Sequence, residues 1–315
     1  MQRNGDFSFH IPVLVNEVIN LLNPRAGGLY LDGTVGGGGH ARAILEASAP
    51  DGRLFALDQD AEAIREASLS LKPFGDRVIL RQANFRRARE IFPELSFNGI
   101  LLDLGVSSYQ LDTPQRGFSC DHDGPLDMRM DRGLALNAAD LLARLDKNEL
   151  SRVLHDFGES PYSRKLAREL ASQRERGPIK TTGQLARIVR RAVPRQSERK
   201  TLVLTFQALR ILVNDELDSL RQGLEILFQM LAPEGRLTVI SYHSLEDRMV
   251  KHFFFKLVNP CICPPGLPVC SCGKVPQARL PNRKPVRPST GEISSNPRCR
   301  SARLRAVEKL TSIQS

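Results

Sequence analysis

Tryptophan is missing from this 315-residue chain, and Tyr and Phe leave the aromatics at only 6%. A nucleic-acid contact resting on a broad platform of stacked rings is therefore not expected. No stretch approaches the ~20 apolar residues that a membrane span requires, so no membrane partner is expected. Met1 to His10 are polar and lack the cationic and apolar regions of an export signal. Six cysteines without such a signal fit a reducing compartment, and a cytoplasmic protein is the expectation. No Gly-Lys-Ser/Thr step follows the glycine-rich stretch at 36–39, which excludes a phosphate-cradling P-loop.

What the chain does have is positive charge. Lys and Arg number 45 against 35 Asp and Glu, a net charge of +10 with a pI near 9.6. That balance favours a polyanionic partner, though a basic surface can also serve solubility alone. The length allows one large domain or two ordinary ones, and 41% hydrophobic residues suffice for a core.

Leu29 to Ile44 organise the rest. An apolar run ends in Asp32, the glycine-dense turn Gly36 to Gly39 follows, and an amphipathic stretch opens near His40. This reads as strand, tight loop and helix. Without Cβ atoms the turn can approach a ligand, and the helix aims its free N–H groups at the same place. A second strand, Arg53 to Asp58, ends in an acid placed to grip ribose hydroxyls. Loop and acid together describe a nucleoside-cofactor site. The stretch also satisfies the loose dinucleotide pattern G-x-G-x-x-G/A, so NAD stays open at this level.

Helical patterns over 10–22, 61–71 and 86–91 alternate with strands over 77–81 and 98–105, and the last of these carries Asp103. Such alternation predicts a parallel sheet with right-handed crossovers. From about Gln110 to Val213 the strands stop and helices are expected over 137–175 and 181–193; a helix over 217–231 and a strand over 235–242 then resume the rhythm. A helical domain inserted into an α/β domain accounts for this. The insertion is basic in its second half, with Arg187, Arg190, Arg191, Arg195 and Arg199 among its cations, and the tail repeats the pattern from Lys274 to Lys309. Two such stretches suggest a groove for a phosphate backbone; each alone is equally a solvated face.

Several blocks resemble one family. They are Leu31-Asp-Gly-Thr with the glycines up to His40, Leu102-Asp-Leu-Gly-Val-Ser-Ser108, Arg116-Gly-Phe-Ser119, Asp123-Gly-Pro-Leu-Asp-Met-Arg-Met-Asp131, Thr205-Phe-Gln-Ala-Leu-Arg210, Ser241-Tyr-His-Ser-Leu-Glu-Asp-Arg248 and Asn296 to Arg305. From His10 to Lys309 the chain is similar to the RsmH (MraW) family of bacterial 16S ribosomal RNA cytosine-N4 methyltransferases. Tyr109, Cys120-Asp-His122 and Leu204 depart from the pattern.

The resemblance implies an α/β fold: a Rossmann-like class I methyltransferase sheet of seven strands with an inserted all-helical domain. It divides the chain into a methyltransferase part over 1–110, a helical substrate-recognition insertion over 111–213, and a second methyltransferase part over 214–315 with the basic C-terminal segment. It implies S-adenosyl-L-methionine (SAM) rather than NAD as cofactor, and a P-site cytosine of 16S ribosomal RNA in the small subunit as acceptor. The family's cofactor contacts fall on Gly38, Gly39, His40, Asp58, Phe85, Asp103 and Gln110. The physics fits, with Asp58 on the ribose and Phe85 laid on the adenine.

For the chemistry, Asp103 or a backbone carbonyl in Leu104 to Gly105 is the expected acceptor for the amine, with Ser107 nearby; the competing reading has Asp103 only orient SAM. His243, just past a strand end, is a further catalytic candidate, against a purely capping role. Cys261, Cys263, Cys270 and Cys272 form two C-x-C pairs in a Pro/Gly-rich segment. Thiolates so placed can hold zinc, but the pairs are tighter than the usual C-x2-C, and no metal ligand is assigned. A homodimer is compatible with the sequence. The competing readings are an NAD-dependent oxidoreductase on the same loop and a catalytically silent RNA-binding module.

Overall fold

A computed structural model describes residues 12–264 and 271–311. The chain divides into two compact units, Met1–Gly105 with Ser219–Ser315, and Val106–Asp218. The first runs α1 (Val15–Leu22), β1 (Leu29–Asp32), α2 (Gly39–Ala47), β2 (Arg53–Asp58), α3 (Ala61–Ser70), β3 (Val78–Gln82), α4 (Ala88–Ile91) and β4 (Phe97–Asp103). The second contributes α5 (Ser108–Asp112), α6 (Ala138–Arg144), α7 (Lys147–Asp156), α8 (Ser163–Arg176), α9 (Thr182–Ala192) and α10 (Glu198–Asn214). After α11 (Glu216–Gln229), the chain completes the first unit with β5 (Leu231–Ser241), α12 (Ser244–Val258), β6 (Ala278–Arg279), α13 (Thr290–Ser295) and β7 (Arg303–Lys309).

The seven strands lie in the order β3-β2-β1-β4-β5-β7-β6. From β3 to β5 all pairs are parallel, with Asp32 opposite both Ala56 and Leu101. The order reverses direction between β1 and β4. Such a reversal is the switch point at which open α/β sheets hold ligands, beyond the carboxyl ends of the strands.

The sheet is not parallel throughout, as the alternation had predicted. β7 runs antiparallel between β5 and β6. Its charged residues concealed it, and the structure shows where those charges go. Arg303 and Arg305 reach Asp247 of α12, at 2.6 and 2.7 Å, while Glu308 takes Arg236 and Arg279. Part of the basic tail read as a phosphate groove is thus internally paired.

Alternate strand residues bury on opposite sheet faces. Leu31, Leu57, Ile100, Leu102 and Val239 join one core with Leu220, Leu224 and Phe254. Tyr30, Leu54, Ala56, Leu101 and Ile240 join the other with Val18, Ala41, Ile44 and Leu45. Each fully buried aliphatic side chain contributes about 1.5–3 kcal/mol, so the two faces hold the strand ends in fixed register.

The second unit packs its helices around its own apolar core. Asn137, Asp146 and Thr181 each close a capping box at the start of α6, α7 and α9. The 116–131 blocks are scaffold in this unit. Buried Arg116 donates to the carbonyls of Arg129 and Met130, each at 3.0 Å. Asn214 accepts from Met130 N at 2.7 Å and donates to Met128 O at 2.8 Å. Asp123 accepts from Gly183 N at the start of α9, at 2.8 Å.

Candidate active site

The site of the first unit is built at the carboxyl ends of β1, β2 and β4, where Asp32, Asp58 and Asp103 close their strands. A web of backbone bonds sews the glycine loop to these ends. Gly33 N donates to Leu101 O and Val35 N to Leu57 O, both at 2.9 Å. Gly36 N donates to Asp58 Oδ2 at 2.9 Å, and Asp60 N donates to Asp58 Oδ1 at 2.9 Å. Thr34 takes part twice: its amide donates to Asp32 Oδ1 at 3.1 Å, and its hydroxyl oxygen accepts from Asp103 N at 2.6 Å.

The glycines serve different ends. Gly38 holds φ +86° as the N-cap of α2, and a Cβ there would crowd Leu71. A Cβ on Gly39 would meet Pro12 at 2.8 Å. Those two are small because the protein itself packs against them. Around Gly36, at φ +51°, the Cβ position faces open space, so that turn has room for a ligand beside it.

Asp32 is only 1% exposed. Burial pushes its carboxyl up to about 7, while His40 pulls it down and the charges of Asp103 and Asp58 add to the rise. His40, the second residue of α2, is 5% exposed, and neither ring nitrogen has a hydrogen-bond partner among the described residues; Nε2 lies 3.6 Å from Asp103 Oδ2. A buried imidazole left unbonded costs free energy, so it marks a place where a polar ligand group fits.

Asp103 is flanked on its other side by Tyr242. The phenol donates to Asp103 Oδ1 at 2.9 Å. Burial first, and then the Asp103 charge, push this phenol well above its ordinary pKa, so it remains a donor. The adjacency follows from the parallel pairing of β4 with β5, which sets Asp103 opposite Ile240. Tyr242 and Thr34 escaped the sequence reading. The signals for Tyr242 were its place in the Ser241 to Arg248 block and its position just beyond an apolar strand.

His243 sits at the N-cap of α12. Its Nδ1 accepts from Glu246 N at 3.4 Å, and Glu246 Oε2 accepts from the amides of Tyr242 and His243 at 2.9 and 3.3 Å. The ring is thus engaged in a capping box, and Nε2 lies 3.1 Å from Glu246 Oε1. This geometry shows His243 capping α12 through Nδ1, while Nε2 is buried without a hydrogen-bond partner among the described residues. Phe85 is 8% exposed, in the core with Leu220 and Leu224, its ring against Gly223 of α11. Most of the ring that was laid on an adenine is thereby committed to packing. At the end of β2, Asn84 Nδ2 donates to Gln59 Oε1 at 3.2 Å, a polar pair the sequence did not single out.

Ser107 and Gln110 belong to the second unit, where they form the capping box of α5. Ser107 Oγ accepts from Gln110 N, and Gln110 Oε1 accepts from Ser107 N, each at 3.1 Å. The structure therefore brings Asp32, Asp58, His40 and Asp103 to one sheet end, and ties Ser107 and Gln110 to each other.

No helix among the described residues is long and apolar enough to cross a membrane. Residues 7–310 match the model of the MraW methylase family. A protein of Syntrophotalea carbinolica called ribosomal RNA small subunit methyltransferase H is 52% identical over 307 residues, which cover 96% of this chain and 98% of that one. One of the same name from Symbiobacterium thermophilum is 50% identical, covering 96% of each. With strand-end acids around a glycine loop and near-complete coverage by these relatives, the chain belongs to the MraW methylase family.

Proposed function

We propose that this protein transfers a methyl group from SAM to the exocyclic N4 amine of a P-site cytosine in 16S ribosomal RNA of the small subunit. The observation that carries this reading is the Asp103 centre: one carboxylate fixed at a strand end by a tyrosine donor, beside an unbonded buried histidine and the glycine loop. Family membership favours SAM over a nicotinamide cofactor, and the relatives named above supply the ribosomal RNA.

The residues fit the donor. Open space beside Gly36 and the nitrogens of His40 offer room and a polar contact, and the Asp58 carboxylate at the end of β2 is the acceptor for ribose hydroxyls. When bound, SAM supplies an electrophilic methyl on a sulfonium. The rest is the work of the chain. The N4 lone pair is delocalised into the pyrimidine ring, so the amine is a weak nucleophile. Asp103 accepts a hydrogen bond from the amine, which localises that lone pair and fixes its aim. The same carboxylate takes the proton that the nitrogen sheds once it carries a methyl. Tyr242 holds Oδ1 and so fixes the plane of the carboxylate that meets the substrate. The charge of Asp32 is withheld by burial and becomes available to a cation.

The partner side of the reading is electrostatic. Tyr242, His243 and Ser244 line a cavity of about 300 Å³ with Arg287 and Arg300, a fit for backbone phosphate beside the Asp103 strand end. In the second unit, α9 exposes Arg187, Arg190 and Arg191. The deciding experiment incubates the protein with labelled SAM and small subunits lacking the modification, then digests the RNA to nucleosides. N4-methylcytidine at one P-site position is the expected product. Label at another atom, or none, refutes the assignment.

A further inference from the structure

Among the described residues between α12 and β6, Ile262 and Val275 are 70% and 72% exposed. Side chains so exposed add little apolar burial, which leaves room for another kind of tie. The tie on offer is sulfur. Cys261, Cys263 and Cys272 bring their Sγ atoms within 4.8 Å of one another, and the Cys261 and Cys272 sulfurs are 3.9 Å apart. In a tetrahedral site with Zn–S bonds of about 2.3 Å, neighbouring sulfurs stand about 3.8 Å apart. The observed separation is that of a tetrahedron's edge.

A second feature points the same way. The amide of Ser271 donates to Cys263 Sγ at 3.4 Å, and the Ser271 hydroxyl lies 3.6 Å from the same atom. N–H donors aimed at a sulfur favour its thiolate, the form that binds a metal, and fix its orientation. Sequence spacing alone argued against a site because the C-x-C pairs are short. The fold overrides that argument: the chain returns so that residue 272 meets residues 261 and 263, and the ligands come from both arms of one loop.

The geometry points to a structural site for a soft divalent cation, zinc by its preference for tetrahedral thiolates, on Cys261, Cys263 and Cys272. Cys270 lies outside the described residues and enters only as a variant. Binding displaces thiol protons to solvent, involves no redox change, and ties the Asn259–Gln277 connection. It is independent of the methyl-transfer reading.

The test uses the full chain, purified under reducing conditions and analysed for metal by mass spectrometry. About one zinc per chain is expected, falling below about a tenth in Cys263→Ser and Cys272→Ser and unchanged in Cys120→Ser. Replacing zinc by Co²⁺ gives the absorption of tetrahedral cobalt thiolate. Chelation speeds tryptic cleavage after Lys274 by about tenfold or more, a readout that needs no activity. Loss of metal in Cys270→Ser marks a four-thiolate site, and retention marks a three-thiolate one. Wild-type protein that takes up neither zinc nor cobalt, or that carries a Cys261–Cys272 disulfide in reductant, overturns the proposal.

Discussion

The phenol of Tyr242 donates a hydrogen bond to Asp103 Oδ1 at 2.9 Å, so two adjacent parallel strands deliver a donor and an acceptor to one point. Because burial keeps the phenol protonated, it orients the carboxylate rather than competing for the substrate's proton. Tyr242→Phe frees Asp103 to rotate, and kcat falls about 10- to 100-fold with little change in the affinity for SAM. Asp103→Asn keeps the shape but weakens the acceptor and cannot take the proton, and costs more, about 10²–10⁴-fold in kcat. Single-turnover methylation with separate SAM titrations checks both. Equal losses in affinity and rate for Tyr242→Phe would show that the pair serves binding instead.

His40 gives an opposite pattern of stability and binding. Its buried nitrogens lack hydrogen-bond partners among the described residues, so an apolar replacement removes a polar group that is costly to bury. His40→Leu should leave the ligand-free protein as stable as wild type, or more stable by about 1 kcal/mol. The same change should weaken SAM binding, about 10-fold or more, because the histidine's bond to the ligand is gone. Thermal melts with and without SAM measure both quantities at once. A variant that melts lower and binds normally would assign His40 to the fold alone.

Asp32 makes stability depend on pH in the direction unusual for a carboxylate. Its folded pKa is about 7 against an ordinary 3.8, because burial penalises the charged form. Between these values the native state binds more protons than the unfolded chain. This group's contribution is therefore fully present below the lower value and is lost as pH rises towards 7. The full swing is about 4 kcal/mol. Asp32→Asn, whose carbonyl can still accept from Thr34 N, should flatten this part of the profile. A bound cation reverses the preference, so SAM affinity should climb between about pH 6 and 8 while that of the uncharged S-adenosylhomocysteine stays level. Parallel slopes for the two ligands would separate Asp32 from the sulfonium.

The cofactor end of the fold was legible because its signals are local. Asp32, Asp58 and Asp103 each close an apolar run, and the glycine turn is marked by composition, so strand, loop and acid could be read within a few residues. The neighbours of Asp103 were not legible. Tyr242 lies 139 positions away in sequence and meets it only because β4 pairs with β5 across an entire inserted unit. β7 was hidden for another reason: Arg303, Arg305, Glu308 and Lys309 look like a solvated basic tail until their partners Asp247 and Arg236 come into view. Phe85 could not be placed from sequence, because an aromatic after a strand suits an adenine and a core equally well, and Gly223 on α11 makes room for part of its ring in the core.

Glu308 tests that pairing by stability alone. It is 4% exposed on β7 and takes Arg236 Nε at 3.0 Å and Arg279 Nε at 2.8 Å. Truncation to Ala leaves Arg236 partly buried without its carboxylate; the exposed head of Arg279 loses little. Glu308→Ala should cost about 2–3 kcal/mol, and Glu308→Gln, which keeps one acceptor, about half as much. Urea unfolding with an unchanged m-value measures both. Losses within about 0.5 kcal/mol would place Glu308 among ion pairs of little consequence.

The two kinds of arginine should separate in RNA binding. Arg187, Arg190 and Arg191 are exposed on α9, available to phosphate. Arg305 gives two hydrogen bonds to Asp247, at 2.7 and 3.2 Å; burial pushes that carboxyl up, but Arg305 and Arg303 together hold it below its ordinary range. Each phosphate neutralised releases condensed counterions, so log Kd against log salt concentration has a slope set by the number of such contacts. Replacing the three α9 arginines with Ala should lower that slope by about 2–3 and weaken binding evenly across RNA sequences. Arg305→Ala should leave the slope alone and lower the unfolding free energy instead, because its charge is already spent on Asp247. Filter binding over a salt series, with urea unfolding in parallel, separates the outcomes. An unchanged slope in the α9 variant would remove that helix from the RNA contact.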